Sequence, residues 1–183
     1  MLLPTLEGSL INLRRINRSD AASIQRHANN SLVAQYLPFM PHPYSMEDAR
    51  LWINTTHRLA RTDIGYHFGI EDRASREIVG CIGLKNVNRH DLNAELGYWV
   101  SRAFWRNGFA TEAVRLMQGF VFGQLKLRRL YAIVLEANTG SVKLLEKTGF
   151  VREGTWRKAS LHKKRWYDVY SYGLLKEEFS RHS

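Results

Sequence analysis

Residues 97–113 read GYWVSRAFWRNGFATEA, an apolar strand, a short polar turn and the start of a helix. The helix begins at Gly108-Phe109-Ala110-Thr111, and the first amides of any helix have no partner inside it. These amides, together with the positive end of the helix dipole, favour a bound anion. Gly108 lets a ligand approach the backbone closely, and Ala110 keeps the next contact small. The stretch predicts a pyrophosphate site, and the same residues also fit an ordinary strand-to-helix connection with one glycine.

Outward from this stretch, strands and helices alternate along the chain. Apolar and β-branched runs between turn residues predict strands at 10–15, 66–71, 77–87, 92–101, 130–136, 150–159 and 166–175. Amphipathic runs predict helices at 20–29, 46–61, 108–125 and 139–148, with Ser19 capping the first and a Ser45–Asp48 box capping the second. The successive strands of 66–101 indicate an antiparallel meander. The fold class is therefore α/β (α+β), a mixed sheet of about seven strands flanked by about four helices.

Length and composition indicate one compact domain, residues 1–183. The chain is 44% hydrophobic, with no Pro-, Gly- or Ser-rich linker to divide it. Its single cysteine, Cys81, lies in the apolar run IVGCIGL, which predicts a buried thiol and excludes an internal disulfide. The N-terminus lacks a targeting pattern and no apolar run approaches a membrane span, so we expect a cytoplasmic protein. The histidines lack H-E-x-x-H spacing, and no metal site is predicted.

The chain is strongly basic, with a formal net charge of +10. Six Lys or Arg residues and one acid, Glu153, lie in the segment 152–165. This segment could attract nucleic acid, a ribosome surface or a phosphate-rich cofactor, or it could be the solvated surface of a basic protein. Trp156 and Trp166 are interleaved with the cations, but strand aromatics of this kind usually pack in a core.

A second motif lies at residues 135–150, LEANTGSVKLLEKTGF. Asn138 is predicted to cap a helix at the end of a strand, with Ser141 one turn in and Gly149 as its stop. In a parallel pair, this strand end lies beside the end of the strand that leads to Gly108, and ligands of open α/β sheets bind at such carboxyl ends. Asn138 and Ser141 are therefore candidate ligand contacts, although capping and solvent exposure would also account for them.

Together these motifs resemble the GNAT superfamily of acetyl-CoA-dependent N-acetyltransferases, and within it the RimJ/RimL-like group that acetylates the N-termini of ribosomal proteins. The resemblance covers nearly the whole chain, through INLR at 11–14, AELGYWV at 94–100, GFATEA at 108–113 and the motif at 138–150. Trp105 departs from the Arg or Gln of the superfamily pattern, and Arg106 is the candidate to supply that cation. The resemblance implies a GNAT-type, mostly antiparallel sheet with a splayed parallel strand pair at the cofactor site.

The resemblance further implies acetyl-CoA as co-substrate and assigns its contacts. The splayed strand would pair with the pantetheine arm, the turn amides would hold the pyrophosphate, and the second motif would reach the pantetheine and the thioester sulfur. The assigned residues are Tyr98, Trp99, Val100, Arg106, Asn107, Gly108, Phe109, Ala110, Thr111, Asn138 and Ser141. The acceptor amine would attack the thioester directly, with no covalent enzyme intermediate.

Direct attack needs a neutral amine and a proton or a strong hydrogen bond for the leaving thiolate. Glu95, on the splaying strand, is the candidate base, acting through water, and a structural ion pair is its alternative role. Ser141 is the candidate proton donor to the sulfur. Some relatives carry a glutamate where this chain has Ser160, so the base stays open. The other candidates are Asp168, Glu153, and the histidines His90 and His162.

The acceptor is left open between two classes of amine. A protein N-terminus on a ribosomal or RNA-associated partner fits the RimJ/RimL-like resemblance and the basic balance, with ribosome docking through residues 152–165. A small amine such as an aminoglycoside, a polyamine or an amino acid is the alternative, although cationic amines usually need an acidic pocket. A non-enzymatic RNA-binding module would leave Gly108 and Asn138 unexplained. Residues 20–61 and 160–165 are predicted to shape the acceptor site of a monomer or homodimer.

Overall fold

Eight strands form one sheet in the computed structural model, which describes residues 3–179. The ends of the predicted domain, residues 1–2 and 180–183, lie outside the described residues. The strands are β1 Leu6–Glu7, β2 Ile11–Arg15, β3 Tyr66–Asp72, β4 Ile78–Asn88, β5 Asn93–Val100, β6 Arg129–Leu135, β7 Val151–His162 and β8 Arg165–Leu175. Their order is β1-β2-β3-β4-β5-β6-β8-β7, and all neighbours are antiparallel except β5 and β6. The predicted mixed fold class is confirmed.

Six helices accompany the sheet within the described residues. They are α1 Ala21–Ala28, α2 Ser31–Ala34, α3 Met46–Arg61, α4 Phe109–Gly119, α5 Thr139–Lys147 and α6 Lys176–Phe179. A π-helical turn, Phe120–Gln124, continues α4 to the predicted helix end. All four predicted helices are present, whereas α2, α6 and β1 were missed because segments of two to four residues are too short to show a periodic pattern.

Capping side chains fix where these helices begin and end. In the predicted box before α3, the Asp48 amide donates to Ser45 Oγ at 3.1 Å and the Ser45 amide donates to Asp48 Oδ2 at 2.8 Å. Gly149 stops α5 in the left-handed conformation, at φ 90°, as predicted. The Ser19 cap is wrong. The chain enters α1 through a 3-10 turn that Asn17 and Asp20 cap reciprocally, because both carry side-chain acceptors at capping-box spacing.

Alternate side chains of the central strands pack into two apolar layers. On the face covered by α4, termed the α4 face, Phe68, Ile82 and Leu96 are buried. On the opposite face, covered by α1 and α3 and termed the α3 face, Cys81 packs with Ile24 and Ile53. Cys81 is buried as predicted, and its burial raises the pKa of the thiol to about 12. At neutral pH the thiol is therefore protonated and a poor nucleophile.

The parallel strands β5 and β6 separate after three residue pairs. Asn93 pairs with Arg129, Ala94 with Leu130 and Glu95 with Tyr131, and no later pair joins the two strands in the described sheet. Each strand keeps its other neighbour, β4 or β8, as far as its carboxyl end. Backbone groups of residues 96–99 and 132–135 therefore face a gap in the sheet, whereas the Val100 carbonyl accepts a hydrogen bond from Trp105 Nε1 at 2.7 Å. This is the splayed parallel pair that the resemblance implies.

The hairpin of β7 and β8 forms the far edge of the sheet. Trp156 and Trp166 are 54% and 56% exposed, so the expectation that they pack in a core is wrong. The hairpin turn is Lys163-Lys164, with φ of 48° and 63°, where Asn or Gly is usual. The expectation for Trp156 was wrong because the sequence pattern does not reveal that β7 is an edge strand with only one neighbour.

Candidate active site

The turn before α4 presents free backbone amides. Glu112 donates the first backbone hydrogen bond of the helix, to the Gly108 carbonyl at 2.9 Å. In the described structure the amides of residues 106–111 find no backbone acceptor, and Arg106, Asn107 and Gly108 are exposed. Gly108 has φ 87° and Arg106 has φ 64°, so the turn holds two left-handed residues. The geometry can bind an anion through several N–H groups and the helix dipole at once.

Glu112 anchors a second segment beside this turn. Its carboxylate accepts the amides of Ser9, Leu10 and Ile11 at 2.5, 2.8 and 3.0 Å. A Cβ on Gly108 would meet Leu10 Cδ1 at 3.2 Å, so the anchored segment lies directly against the turn. Sequence reasoning missed this link, since nothing along the chain connects residues about one hundred positions apart.

Asn138 and Ser141 lie together at the start of α5. Asn138 Oδ1 accepts the Ser141 amide at 3.1 Å, which confirms the predicted cap. The amide nitrogen of that side chain has no hydrogen-bond partner in the described structure and is available to a ligand carbonyl. Both residues line the cavity described below. The capping role and a ligand contact are therefore compatible.

The Tyr98 side chain meets Ser141 across the gap. Tyr98 Oη and Ser141 Oγ are 2.5 Å apart, so one hydroxyl donates to the other. Burial raises the pKa of Tyr98 to about 12, and the hydrogen bond with Ser141 only partly opposes this rise. The phenol therefore keeps its proton and can donate it to Ser141, which leaves the serine proton free for an acceptor in the cavity. The sequence placed Tyr98 at the site for its backbone, and it did not reveal this side-chain contact.

One cavity of about 650 Å³ passes through the gap from face to face. Tyr98, Ser141 and Leu145 line it on the α4 face, whereas Trp52, Cys81 and Trp99 line it on the α3 face. The two groups belong to different apolar layers of the protein. Two ligands that approach from opposite faces can therefore meet inside the sheet.

Glu95 stands at the fork where β5 and β6 separate. Its carboxylate forms an ion pair with Lys85 at 2.7 Å and accepts a hydrogen bond from the Asn86 side chain at 3.1 Å. The Glu95 side chain is only 15% exposed and lines the cavity. The candidate base is thus in place, and it is also held in the ion pair that was its alternative role. Lys85 was missed, although the meander places it directly opposite Glu95 in the antiparallel register.

Three of the other candidate bases, Glu153, Asp168 and His90, have structural partners or lie in solvent. Glu153 is paired with Arg129 at 2.5 Å. Asp168 Oδ1 accepts the Lys158 amide at 2.8 Å and stabilises the bulge in β7. The side chain of His90 is 95% exposed beside Asp91. Ser160, the position at which the resemblance raised the question of a glutamate base, lines the cavity.

A second cavity, of about 470 Å³, adjoins the first at Tyr36, which lines both. His162, Lys163, Arg165 and Glu136 are among its lining residues. His162 Nε2 is buried and has no hydrogen-bond partner in the described structure. The second cavity therefore has two cationic side chains, Lys163 and Arg165, and one carboxylate, Glu136, in a more polar lining than that of the first.

His67 is a buried polar residue that sequence reasoning missed. Its side chain lies on the α3 face and lines the main cavity, and its ring is 4.9 Å from the Trp52 ring, edge to face. A Cβ on Gly83 would lie 2.1 Å from His67 Nδ1, so only glycine fits below the ring. Burial, with a smaller contribution from the Lys85 charge, lowers the pKa of His67 to about 4. The imidazole is neutral at physiological pH.

Within residues 3–179, no group of His, Cys, Asp and Glu side chains has the arrangement of a metal site. No helix in the same range is long and apolar enough to cross a membrane.

Comparison with known proteins agrees with this geometry. The family model described as acetyltransferase (GNAT) domain matches residues 11–151. The uncharacterized N-acetyltransferase YoaA of Bacillus subtilis is 33% identical over 96% of this chain and 98% of its own length. The ribosomal-protein-S5-alanine acetyltransferase of Vibrio fischeri superposes with a TM-score of 0.86 at 22% identity, covering 96% of this chain and 98% of that one. Spermidine N-acetyltransferase of Vibrio cholerae, solved with CoA and spermine, gives 0.81 at 24% identity, covering 94% and 99%.

Proposed function

The chain belongs to the GNAT acetyltransferase family, and from that premise we propose that it acetylates the N-terminal α-amine of a protein. It is an enzyme, an N-acetyltransferase that uses acetyl-CoA as co-substrate. The solved structures of similar fold act on both classes of acceptor, a ribosomal protein and a polyamine. Overall fold therefore leaves the acceptor open, and the proposal rests on the residues of the site.

The gap between β5 and β6 is the observation that carries the mechanism. In our proposal the free edge of β5, Tyr98-Trp99-Val100, pairs with the pantetheine arm from the α4 face. The amides of residues 106–111 hold the pyrophosphate, and Asn138 donates to a pantetheine carbonyl. The thioester then lies inside the gap, where an amine from the α3 face can reach its carbonyl carbon. Direct attack needs no enzyme nucleophile, which agrees with the high pKa of Cys81.

Two residues at the fork prepare the amine for attack. An α-amine has a pKa of about 7.7–8.0, so a substantial fraction is neutral at physiological pH, whereas a lysine side chain at about 10.4 is almost entirely charged. A bound ammonium group beside this ion pair meets the Lys85 and Glu95 charges together, so the pair leaves the pKa of the amine near its ordinary value. Glu95 accepts the proton through water. An α-amine is therefore the acceptor that needs the least help from Glu95 and Lys85 to lose its proton.

Tyr98 and Ser141 stabilise the leaving thiolate. A thiol has a pKa of about 8.5, well below that of a serine or a buried tyrosine, so full proton transfer from either hydroxyl would be unfavourable. Ser141 instead donates a hydrogen bond to the developing thiolate, and Tyr98 donates to Ser141 and polarises it. We therefore revise the expected role of Ser141 from proton donor to hydrogen-bond donor.

The charges around the cavity support a protein N-terminus over a polyamine. Two carboxylates line the main cavity: Glu95 is paired with Lys85, whereas Asp48 caps α3 through Oδ2 and has no cationic partner in the described structure. A polyamine would bring two or more ammonium groups into a space with one carboxylate outside an ion pair. In the adjoining cavity Lys163 and Arg165, which outnumber the carboxylate of Glu136, give the carbonyl and acidic groups of a longer chain a place to bind.

The basic hairpin supports docking on a ribosomal or RNA-associated partner in the cytoplasm, with residues 1–183 acting as one acetyltransferase domain. Arg157, Lys158 and Lys164 are exposed and do not line either cavity. Substituting them as Arg157→Gln, Lys158→Asn and Lys164→Asn should slow acetylation of a ribosome-bound substrate several-fold and leave a short free peptide unaffected. Neutralising Arg50, Arg58 and Arg61 on α3 removes the same charge elsewhere and is the control. Equal slowing by both triple variants would contradict docking through the hairpin.

A product assay tests the proposed function directly. The purified protein is incubated with acetyl-CoA and with tetrapeptides, amino-acid amides, spermidine or an aminoglycoside, and products are identified by mass. We expect acetylation at the peptide α-amine, faster for tetrapeptides than for single amino-acid amides because the second cavity is then used. Efficient acetylation of spermidine or an aminoglycoside, with no activity on any peptide, would replace this proposal by a small-amine acetyltransferase.

A further inference from the structure

The α3-face half of the main cavity is lined by apolar and aromatic side chains. The set termed the acceptor wall is Phe39, Met40, Tyr44, Leu51, Trp52 and Trp99. Below it, a Cβ added to Gly97 would have Lys85 Cε, at 3.5 Å, as its nearest neighbour. This distance is ordinary van der Waals contact, so the Lys85 stem borders the face of Gly97 beneath the wall. A ligand group bound against the wall contacts carbon on most sides.

Members of the wall are exposed to an unusual degree. Phe39 is 97% exposed and Leu51 is 65% exposed, and Trp156, at 54%, lines the same cavity. Single exposed apolar side chains are ordinary on protein surfaces, but a cluster of them around one opening marks a binding surface. A ligand with apolar surface would release the water that now covers these side chains, which favours binding.

The polar groups of this half are few. His67 is neutral at physiological pH, the ion pair of Lys85 with Glu95 has no net charge, and Asp48 at the start of α3 is the one further carboxylate in the cavity lining. The one polar feature the amine needs, the carboxylate at the fork, lies at the edge of the apolar surface. An acceptor that matches this pattern has an amine and, close to it, an apolar group.

We propose that the acceptor wall binds a large apolar side chain on the acceptor residue, so that N-terminal Leu, Met or Phe is preferred over N-terminal Ala, Ser or Gly. The inference rests on the proposed function, because it needs the amine to enter the gap from the α3 face. With the amine at the fork, the first side chain lies against the wall. The rest of the peptide continues past Tyr36 toward the second cavity.

A peptide series that varies only the first residue tests this preference. Tetrapeptides beginning with Gly, Ala, Ser, Leu, Met or Phe and sharing one tail are compared by kcat/KM at saturating acetyl-CoA. We expect Leu, Met and Phe to exceed Ala and Ser by about tenfold or more, because each methylene in an apolar pocket changes specificity severalfold. Equal or better use of Ala and Ser would overturn the inference.

Substitutions at the wall localise the effect. Phe39→Ala should reduce the preference for Phe over Ala peptides several-fold without loss of folding, since Phe39 is almost fully exposed. Leu51→Asp should abolish it and improve a lysine-containing acceptor. Ile64→Ala is the matched control, because Ile64 is exposed at 51% and does not line the cavity. A preference that survives Phe39→Ala and Leu51→Asp together would overturn the assignment to this wall.

Small amines separate this inference from the proposed function. If no peptide is acetylated but phenethylamine is used at least tenfold better than spermidine, the wall is supported and the protein acceptor is wrong. If no peptide is acetylated and spermidine is used better than phenethylamine, the inference and the proposed function both fail.

Discussion

The two sides of the gap between β5 and β6 consist of different kinds of chemical group. The α4 side uses backbone amides and polar side chains from two short motifs, residues 106–111 and 138–141. The α3 side uses apolar side chains that α3, β4, β5 and the segment before α3 bring together. The first construction depends on local conformation and the second on tertiary packing. In our proposal, cofactor binding is therefore the part that relatives can share, and acceptor choice is the part each chain can alter by changing side chains.

The largest effect is expected at the turn before α4, the part of the site whose shape depends most on local backbone conformation. Gly108→Glu places a carboxylate among the turn amides, so repulsion of the pyrophosphate should weaken CoA binding about a hundredfold or more. Gly108→Ala isolates the cost of a side chain at φ 87°, and Gly119→Glu puts the same charge on α4 where no atom would lie near the new Cβ. Calorimetry should show normal CoA affinity for Gly119→Glu. Unchanged CoA affinity in folded Gly108→Glu would contradict the proposal that the turn amides hold the pyrophosphate.

On the α3 side, the pKa of His67 shows whether the apolar side chains around it exclude water. Its pKa is about 4 in the folded protein and about 6.5 when unfolded, so below pH 6.5 the unfolded chain binds a proton that the folded protein does not. Stability is therefore lost as pH falls from 6.5 toward 4. Between pH 7 and pH 5, the natural protein should lose about 2 kcal/mol more than His67→Phe does. Denaturant unfolding at the two pH values measures this, and parallel losses would mean that His67 is solvated.

The hydrogen-bonded pair on the α4 side should change turnover and leave cofactor binding intact. Ser141→Ala removes a hydrogen bond to a developing charge and should lower kcat about tenfold to a hundredfold. Tyr98→Phe acts through Ser141 and should lower kcat less, with no further loss when it is added to Ser141→Ala. Tyr172→Phe, which removes a hydroxyl bonded to Glu146, is the control. Additive effects would show that Tyr98 and Ser141 act separately.

The smallest effect is expected at the fork, where the two sides meet. Glu95→Gln should lower turnover about tenfold at pH 6.5, and the loss should shrink toward pH 9 because the α-amine is then neutral without help. Lys85→Met keeps the carboxylate and breaks the ion pair, so it should show a weaker version of the same pH dependence. If both variants have equal defects at every pH, Glu95 is only a structural partner of Lys85.

The contrast between the two sides also explains how far the sequence could be read. Gly108 and Asn138 were found because helix starts and caps are local, and their positions relative to strands are fixed by chain order. The sequence indicated residues 20–61 as the acceptor side but did not single out Phe39 or Leu51, because the approach of these side chains to β5 depends on packing of the whole layer. Trp156 was misread for the same reason, since its exposure follows from the edge position of β7. The contact between Tyr98 and Ser141 was missed because the distance between their side chains across the gap cannot be read from the spacing of the two motifs along the chain.

The central claim is that the cofactor and the acceptor reach the gap from opposite faces, and one conjugate tests it most directly. CoA is joined through its sulfur, by a short acetyl bridge, to the α-amine of a tetrapeptide beginning with Leu, and its affinity is measured by calorimetry beside that of CoA. We predict that the conjugate binds about a hundredfold more tightly than CoA, that Phe39→Ala weakens only the conjugate, and that Gly108→Glu weakens both. A conjugate that binds no more tightly than CoA, or one indifferent to Phe39→Ala and Leu51→Asp, would contradict the account.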